Sequence, residues 1–292
     1  EFAEGSGSER YPYKITAQEH LVNMALYPEA HYVLESDITL PSVNAGEANF
    51  NPLFSEEVKF NGIFDGNGHT IRNISIYNTA SRYTGLFAYI GESGIIKNIT
   101  LENATIHGKG YVGGIAGYSQ GVISDCKITG KVSASSAGYI GGIAGYAEQT
   151  VSGCRAETEL SAESVSIAGG LIGEFNGEAV TDCSAVGSIN MDASTAGGLI
   201  GIFRGNTLAS CSAAGNVTLK DTSSSAVSAG GLVGRIGSVL DEITITDCTA
   251  TGDISVTDEK DVYAGGLIGN IYDGVTLTNC SATGNVTSVS TS

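Results

Sequence analysis

Gly117-Tyr118-Ser119-Gln120-Gly121 has the G-x-S-x-G spacing that presents a serine nucleophile on a strand-to-helix turn. That chemistry needs a helix after the serine, with a His and an acid brought close. No helical period follows, and a chain with 41 Gly among 292 residues produces the string by chance. Gly108-Lys109-Gly110-Tyr111-Val112-Gly113 likewise has G-x-G-x-x-G spacing. Dinucleotide chemistry requires a helix N-terminus at the pyrophosphate, whereas this stretch runs straight into a repeat strand. Neither motif has the context its chemistry demands.

Carboxylates and thiols are the other candidates. Asp125, Asp182, Asp247 and Asn279 each directly precede a Cys, with Asn98, Gly153 and Ser210 in the same place in other copies. A stacked row of carboxylates could hold Ca²⁺, but all these residues are also turn formers. Asp192, Asp221, Asp258, Glu259 and Asp261 lie in loops of variable length. Sugar cleavage would need a converging pair of acids, and the spacing selects none. Asp221, Asp258, Glu259 and Asp261 are therefore candidates for ligand binding, and no residue is assigned a catalytic role.

Cys126, Cys154, Cys183, Cys211, Cys248 and Cys280 occur once per repeat, where the preceding copy holds Ile99. Cysteine that alternates with Ile behaves as a small core hydrophobe. The expectation is a buried, reduced thiol ladder. The alternatives are stacked disulfides, whose Cβ vectors would run parallel instead of converging, or a metal, for which C-x-x-C spacing is missing.

The elements that position these residues come from a glycine pentapeptide. Gly113-Gly114-Ile115-Ala116-Gly117 returns from Gly141, Gly169, Gly197, Gly230 and Gly265, after a degenerate copy at Gly85, with steps of 28, 28, 28, 28, 33 and 35 residues. Such a period marks stacked units, each too small to bury its own apolar face. Within a unit, Cys126-Lys127-Ile128-Thr129-Gly130-Lys131-Val132 alternates with a period of two, as a half-buried strand does. Short strands separated by Gly turns, each pairing with the next unit in parallel, make an all-β parallel β-helix. At a strand spacing of ~4.8 Å the rod would be roughly 40–50 Å long. The longer units add residues near 220–225, 237–242 and 257–261, and variable loops on a rigid scaffold are where recognition concentrates. In the pentapeptide, Ile115 and Ala116 and their counterparts form two apolar rows. Either the glycines bend the chain so that both rows are buried, or one row forms a flat apolar stripe for a partner.

Residues 1–10 read as a disordered linker and 11–59 as an N-terminal cap, with 60–292 forming the β-helix. In the cap, Thr16-Ala17-Gln18-Glu19 is a capping box opening a short helix over about 17–27, followed by a strand at 31–34. A net charge of −17 with only 15% charged residues argues against nucleic acid and an anionic membrane surface. No apolar run reaches the ~18 residues of a membrane span.

The units resemble the GLUG repeat. Tyr13-Lys14-Ile15-Thr16, Leu34-Glu35-Ser36-Asp37-Ile38 and Phe64-Asp65-Gly66-Asn67-Gly68-His69-Thr70-Ile71 are similar to the segment that usually leads into it, so the resemblance covers about residues 11–287. It implies a right-handed β-helix in bacterial secreted or cell-surface proteins, including adhesin-like proteins and regions of IgA-specific metallopeptidases. Those peptidases carry H-E-x-x-H in a separate region. Here His20, His31, His69 and His107 form no such motif, so the peptidase activity does not carry over. The reading is a non-catalytic extracellular adhesin-like or spacer module for host or matrix glycans or proteins, with no cofactor and no nucleic-acid partner, as a monomer or as part of a larger chain. The alternatives are the stalk of a larger surface peptidase and a β-helix polysaccharide-degrading enzyme.

Overall fold

A computed structural model describes residues 1–220, 226–237, 242–258, 261–272 and 274–290. Three parallel ladders run the length of the molecule. The first is a ten-stranded sheet that begins with Tyr13–Ile15, Tyr32–Leu34 and Ile63–Asp65 and ends with Val275–Thr278. The second is built from the strands that follow each cysteine, such as Lys127–Gly141 and Arg155–Ala162. The third has seven strands, from Phe87–Ile90 through Ala116–Ser119 and Ala144–Ala147 to Ile268–Ile271. The chain is thus a parallel β-solenoid preceded by one short helix.

The pentapeptides stack in register. Gly113 pairs with Gly141, Gly141 with Gly169, Gly169 with Gly197, Gly197 with Gly230 and Gly230 with Gly265. The units of 33 and 35 residues keep this register. Both apolar rows are interior: Ile115, Ile143, Leu171, Leu199 and Leu232 are fully buried, and so are Ala116, Ala144, Ile172, Ile200 and Val233. The Gly-Gly pair makes this possible by turning the chain between the second and third ladders. A Cβ on Gly142 would lie 2.5 Å from the Gly170 oxygen and 2.6 Å from the Ala156 Cβ. No other residue fits.

The second corner is made by the residue before each cysteine. Asn98, Asp125, Asp182, Ser210, Asp247 and Asn279 all have φ between 51° and 57°, and Gly153 has 62°. Their small polar side chains tolerate the left-handed conformation. The row is a ladder of turns, which accounts for Gly and Ser at the remaining positions. Among the described residues no three His, Cys, Asp or Glu side chains come together as a metal site.

At the N-terminus the helix is shorter than the sequence suggests. An α-helix spans Gln18–Asn23 and a 3₁₀ turn spans Met24–Leu26. Ala17 is the N-cap and makes no side-chain cap bond, so the capping box does not form. Instead the Thr16 N–H donates to Nδ1 of His20 at 3.2 Å, and the Thr16 hydroxyl lies 3.3 Å from the same nitrogen. Leu21 and Met24 are fully buried beneath the cap. Residues 1–10, read above as a linker, contact the cap: Phe2 stacks on Tyr13 at 4.2 Å and the Glu4 carboxylate pairs with Lys14 at 2.8 Å. Phe54, Phe60, Phe64 and Phe87 fill the first coils.

The diglycine corner predicts a sharp contrast. Gly142→Ala should destabilise the protein by about 1–3 kcal/mol, the usual cost of overpacking. Gly138→Ala, whose Cβ would meet nothing closer than the Gly110 oxygen at 3.6 Å, should leave the urea midpoint almost unchanged. Equal midpoints for the two variants would remove the steric account of the repeat.

Candidate functional site

The motif residues first singled out serve the fold. Ser119 is fully buried, and its hydroxyl donates to the Gly121 oxygen at 2.9 Å and accepts the Gly121 N–H at 3.2 Å. It closes a turn, with no histidine partner. Gly108–Gly113 lies inside the strand Thr100–Gly113, and the chain then bends into the strand Ala116–Ser119.

The cysteines are all free, five of them buried and Cys280 half-buried on the last coil. Each thiol turns back onto the carbonyl two residues earlier, as Cys126 does to Ser124 at 3.1 Å and Cys211 to Ala209 at 3.1 Å. The thiols also meet the next coil, where the Cys154 N–H donates to the Cys183 sulfur at 3.4 Å. The neighbouring Cys183 side chain, together with burial, pushes Cys211 up to about 12. A core hydrophobe with one weak donor is what this corner accommodates.

Asp221 and Glu259 lie outside the described residues, as does the side chain of Asp258. Asp261 is exposed, and its carbonyl accepts the Val227 N–H at 3.0 Å. The flanks of the two loops are adjacent: Lys220 pairs with Thr257 and Val227 with Val262. Following the register back, Asp261 aligns with Ala193, Val165, Ala137 and Gly110, one residue along from the row of Ser164, Ser136 and Lys109.

Beside that edge is a cluster that motif reading missed. Tyr83, Tyr111 and Tyr139 are in register on the second ladder, and Tyr89, Tyr118 and Tyr146 on the third. Each column is stacked, with ring centroids 4.8–5.2 Å apart in the first and 4.7–4.8 Å in the second. Between the columns the rings meet edge to face. The tyrosines pack outside the main core, on the outer side of the diglycine bend. The signal was in the sequence: in these copies a tyrosine flanks the pentapeptide on both sides. Later coils replace them with Ile167, Thr195 and Ser228 in one column and Glu174, Ile202 and Arg235 in the other.

Charged groups rim this corner. Arg82 lies over Tyr111 at 4.9 Å and Tyr83 at 5.9 Å, and Lys59 over Tyr89 at 4.8 Å. The Tyr118 hydroxyl donates to Glu148, whose other oxygen accepts from Gln120 at 3.0 Å. Glu174, almost fully buried, is held by Arg204 at 2.8 Å. Burial pushes Tyr89 and Tyr139 up to about 12, and burial plus the Glu148 carboxylate raises Tyr118 further. All three are neutral donors at physiological pH.

The shallow grooves of the described surface include three that bear on these residues. One of about 350 Å³ runs along Arg82, Lys109, Gly110, Ser136, Gly138, Ser164 and Ser166. Another, of about 410 Å³, contains Glu157 and Glu159. Those acids are paired, Glu157 with Arg155 and Lys127 at 2.6 and 2.9 Å and Glu159 with Lys131 at 3.1 Å. The cations hold Glu157 below the usual carboxylate range, the opposite of what a general acid requires. The third, of about 330 Å³, lies between the cap helix and residues 48–53.

Comparison with known proteins agrees with this architecture. Residues 108–133, 225–256 and 261–287 match the GLUG motif, so the chain carries GLUG repeats. It is 36% identical over 140 residues to halomucin of Haloquadratum walsbyi, covering 45% of this chain and 2% of that protein. It is 33% identical over 133 residues to a provisionally named Gly-rich membrane protein of Evansella cellulosilytica, covering 44% and 15%. The chain therefore spans a small part of either relative. A crystal structure of a Bacteroides ovatus protein, provisionally named an immunoglobulin A1 protease, has the same fold: its TM-score is 0.75 at 23% identity, over 96% of this chain and 87% of that one.

Two outcomes follow from the perturbed groups. A polar disulfide reagent at pH 8 should modify Cys280 alone in the native protein and all six thiols in denaturant, because the other five are buried. Rapid native labelling of more than one would contradict the ladder. Tyr89, Tyr118 and Tyr139 stay protonated in the fold when unfolded phenols titrate near 10. Between about pH 10 and 12 the native state thus binds more protons, and stability falls as pH rises. The thermal midpoint should begin to drop near pH 10, and Tyr89→Phe/Tyr139→Phe should make that drop shallower. An unchanged slope in the double variant would remove these two phenols as its source.

Proposed function

We propose that the chain is a non-catalytic module of a bacterial cell-surface protein, adhesin-like or a spacer, that displays a rigid face to host or matrix glycans or proteins. The observation that carries this is what the side chains do. Along a solenoid of GLUG repeats the motif serine closes a turn, the cysteines fill a corner, and the acids of the second groove are ion-paired. The outward features are an aromatic corner and loops of variable length on one edge, arranged for contact instead of bond cleavage. Two relatives are named for a mucin and a membrane protein, which supports an extracellular place for this chain. No helix among the described residues is long and apolar enough to cross a membrane.

A second reading has its own support. The chain covers 87% of a solved structure named after an immunoglobulin A1 protease, which fits a stalk that positions a separate peptidase. The two readings part in binding. Against a glycan and extracellular-matrix array, with calcium and with chelator, the module reading expects reproducible hits, and no cleavage of immunoglobulin A or of any arrayed polysaccharide. An array silent in both conditions would favour the stalk. Turnover of a polysaccharide would overturn both.

A further inference from the structure

We infer that the groove beside the tyrosine columns binds an acidic saccharide, a sugar chain carrying carboxylate or sulfate groups; this rests on the surface-module reading and names its ligand class. The first observation is charge. The protein carries a net charge of −17, and the cations of the neighbouring coils are tied to carboxylates, Lys127 and Arg155 to Glu157, Lys131 to Glu159 and Arg204 to Glu174. Lys59, Arg82 and Lys109 have no carboxylate within 4.0 Å among the described residues, and Arg82 and Lys109 line the same groove. In a chain this acidic, two unpaired cations side by side on one edge are a place for an anion.

The second observation is shape. Gly110 and Gly138 form the floor, and a Cβ on Gly138 would have no neighbour closer than 3.6 Å, so the space above it is open. Lys109 is in register with Ser136, and Ala137 with Val165, which places Ser164 next in the row. The groove therefore offers one polar side chain per coil, first Arg82 and Lys109, then the hydroxyls of Ser136 and Ser164. At a strand spacing of ~4.8 Å, each step is close to the length of one pyranose unit. Tyr111 and Tyr139 directly follow Gly110 and Gly138 in the sequence, and stack on each other at 4.8 Å beside this floor.

The third observation discriminates against a peptide. An extended peptide gains affinity by pairing with a free sheet edge. Along this flank the N–H and C=O groups are already used between coils, from Lys127–Ala134 against Arg155–Ala162 to Ala137–Gly141 against Val165–Gly169. A peptide would find side chains only, whereas a saccharide needs only side chains. Farther along the row Asp192 succeeds Ser164, and on a later coil Asp261 lies one residue off the row, which confines an anionic chain to the first coils.

Isothermal titration of the intact protein tests this with four probes: a galacturonate hexamer, a heparin hexasaccharide, neutral maltohexaose and hexaglutamate. Binding is expected for one or both acidic sugars, and which one separates carboxylate from sulfate as the recognised group. Affinity should fall with added salt, and maltohexaose and hexaglutamate should bind at least about tenfold more weakly. Arg82→Gln/Lys109→Gln should weaken the acidic sugar by about tenfold with an unchanged thermal midpoint. Because Arg82 also rests on Tyr111, Lys109→Gln alone keeps the test sound if the double variant unfolds. Acidic sugars that bind no better than maltohexaose, equal binding by the variants, or hexaglutamate binding as tightly would overturn the assignment. If array hits from the preceding experiment survive in the double variant, the site assignment falls and the surface-module reading stands.

Discussion

Everything in this molecule depends on the close approach of backbones at the diglycine bend. There the Gly114 N–H donates to the Gly142 oxygen at 3.0 Å and the Ile115 N–H to the Ile143 oxygen at 2.9 Å. A methyl group on any of these glycines would meet backbone or side-chain atoms well inside contact distance, 2.1 Å at Gly114 and 2.0 Å at Gly170. Three consequences follow. The next two residues of each repeat both turn inward, so a short segment buries two apolar side chains. Successive coils are locked in register, since a slip would put a side chain where only hydrogen fits. And the outer side of the bend becomes a sheltered angle in which two columns of tyrosines can meet edge to face.

That constraint also explains which parts of the fold could be read from residues. The pentapeptide and its period report a backbone requirement, and such requirements leave the same residue type in every copy. The turn before each cysteine is legible for a similar reason: Asp, Asn, Ser and Gly share a tolerance for positive φ, so a row that might have been acidic chemistry resolves into conformation. The helix cap was misread because the capping box is a local pattern. The His20 ring, one turn into the helix, takes the Thr16 N–H and leaves Ala17 at the cap.

The candidate site was less legible. Tyr111 and Tyr118 are separated by the whole pentapeptide, and Tyr83 is 56 residues from Tyr139 in the sequence; only the register makes them one surface. Motif reading favours residues that chemistry needs close together, and it led to Ser119, which lies inside the solenoid. The acidic loops at 220–225 and 257–261 lie partly outside the described residues. Their flanks lie on the edge that carries Lys109 and the serines, but the groove there begins at the opposite, cationic end. In a solenoid a site runs along the axis, one residue per coil, at right angles to the sequence.

The central claim is that successive coils are locked at the diglycine bend, and hydrogen exchange at its amides tests it most directly. The chain of bonds from Ile115 to Ile143, Leu171, Leu199, Leu232 and Leu267 has N–H to oxygen distances of 2.8–2.9 Å throughout. In a two-dimensional NMR exchange series, Ile115, Ile143, Leu171 and Leu199 should exchange only through opening of the coil stack, with protection declining at Leu232 toward the last coil. Exchange of Ile115 and Ile143 as fast as that of exposed loop amides would contradict the account.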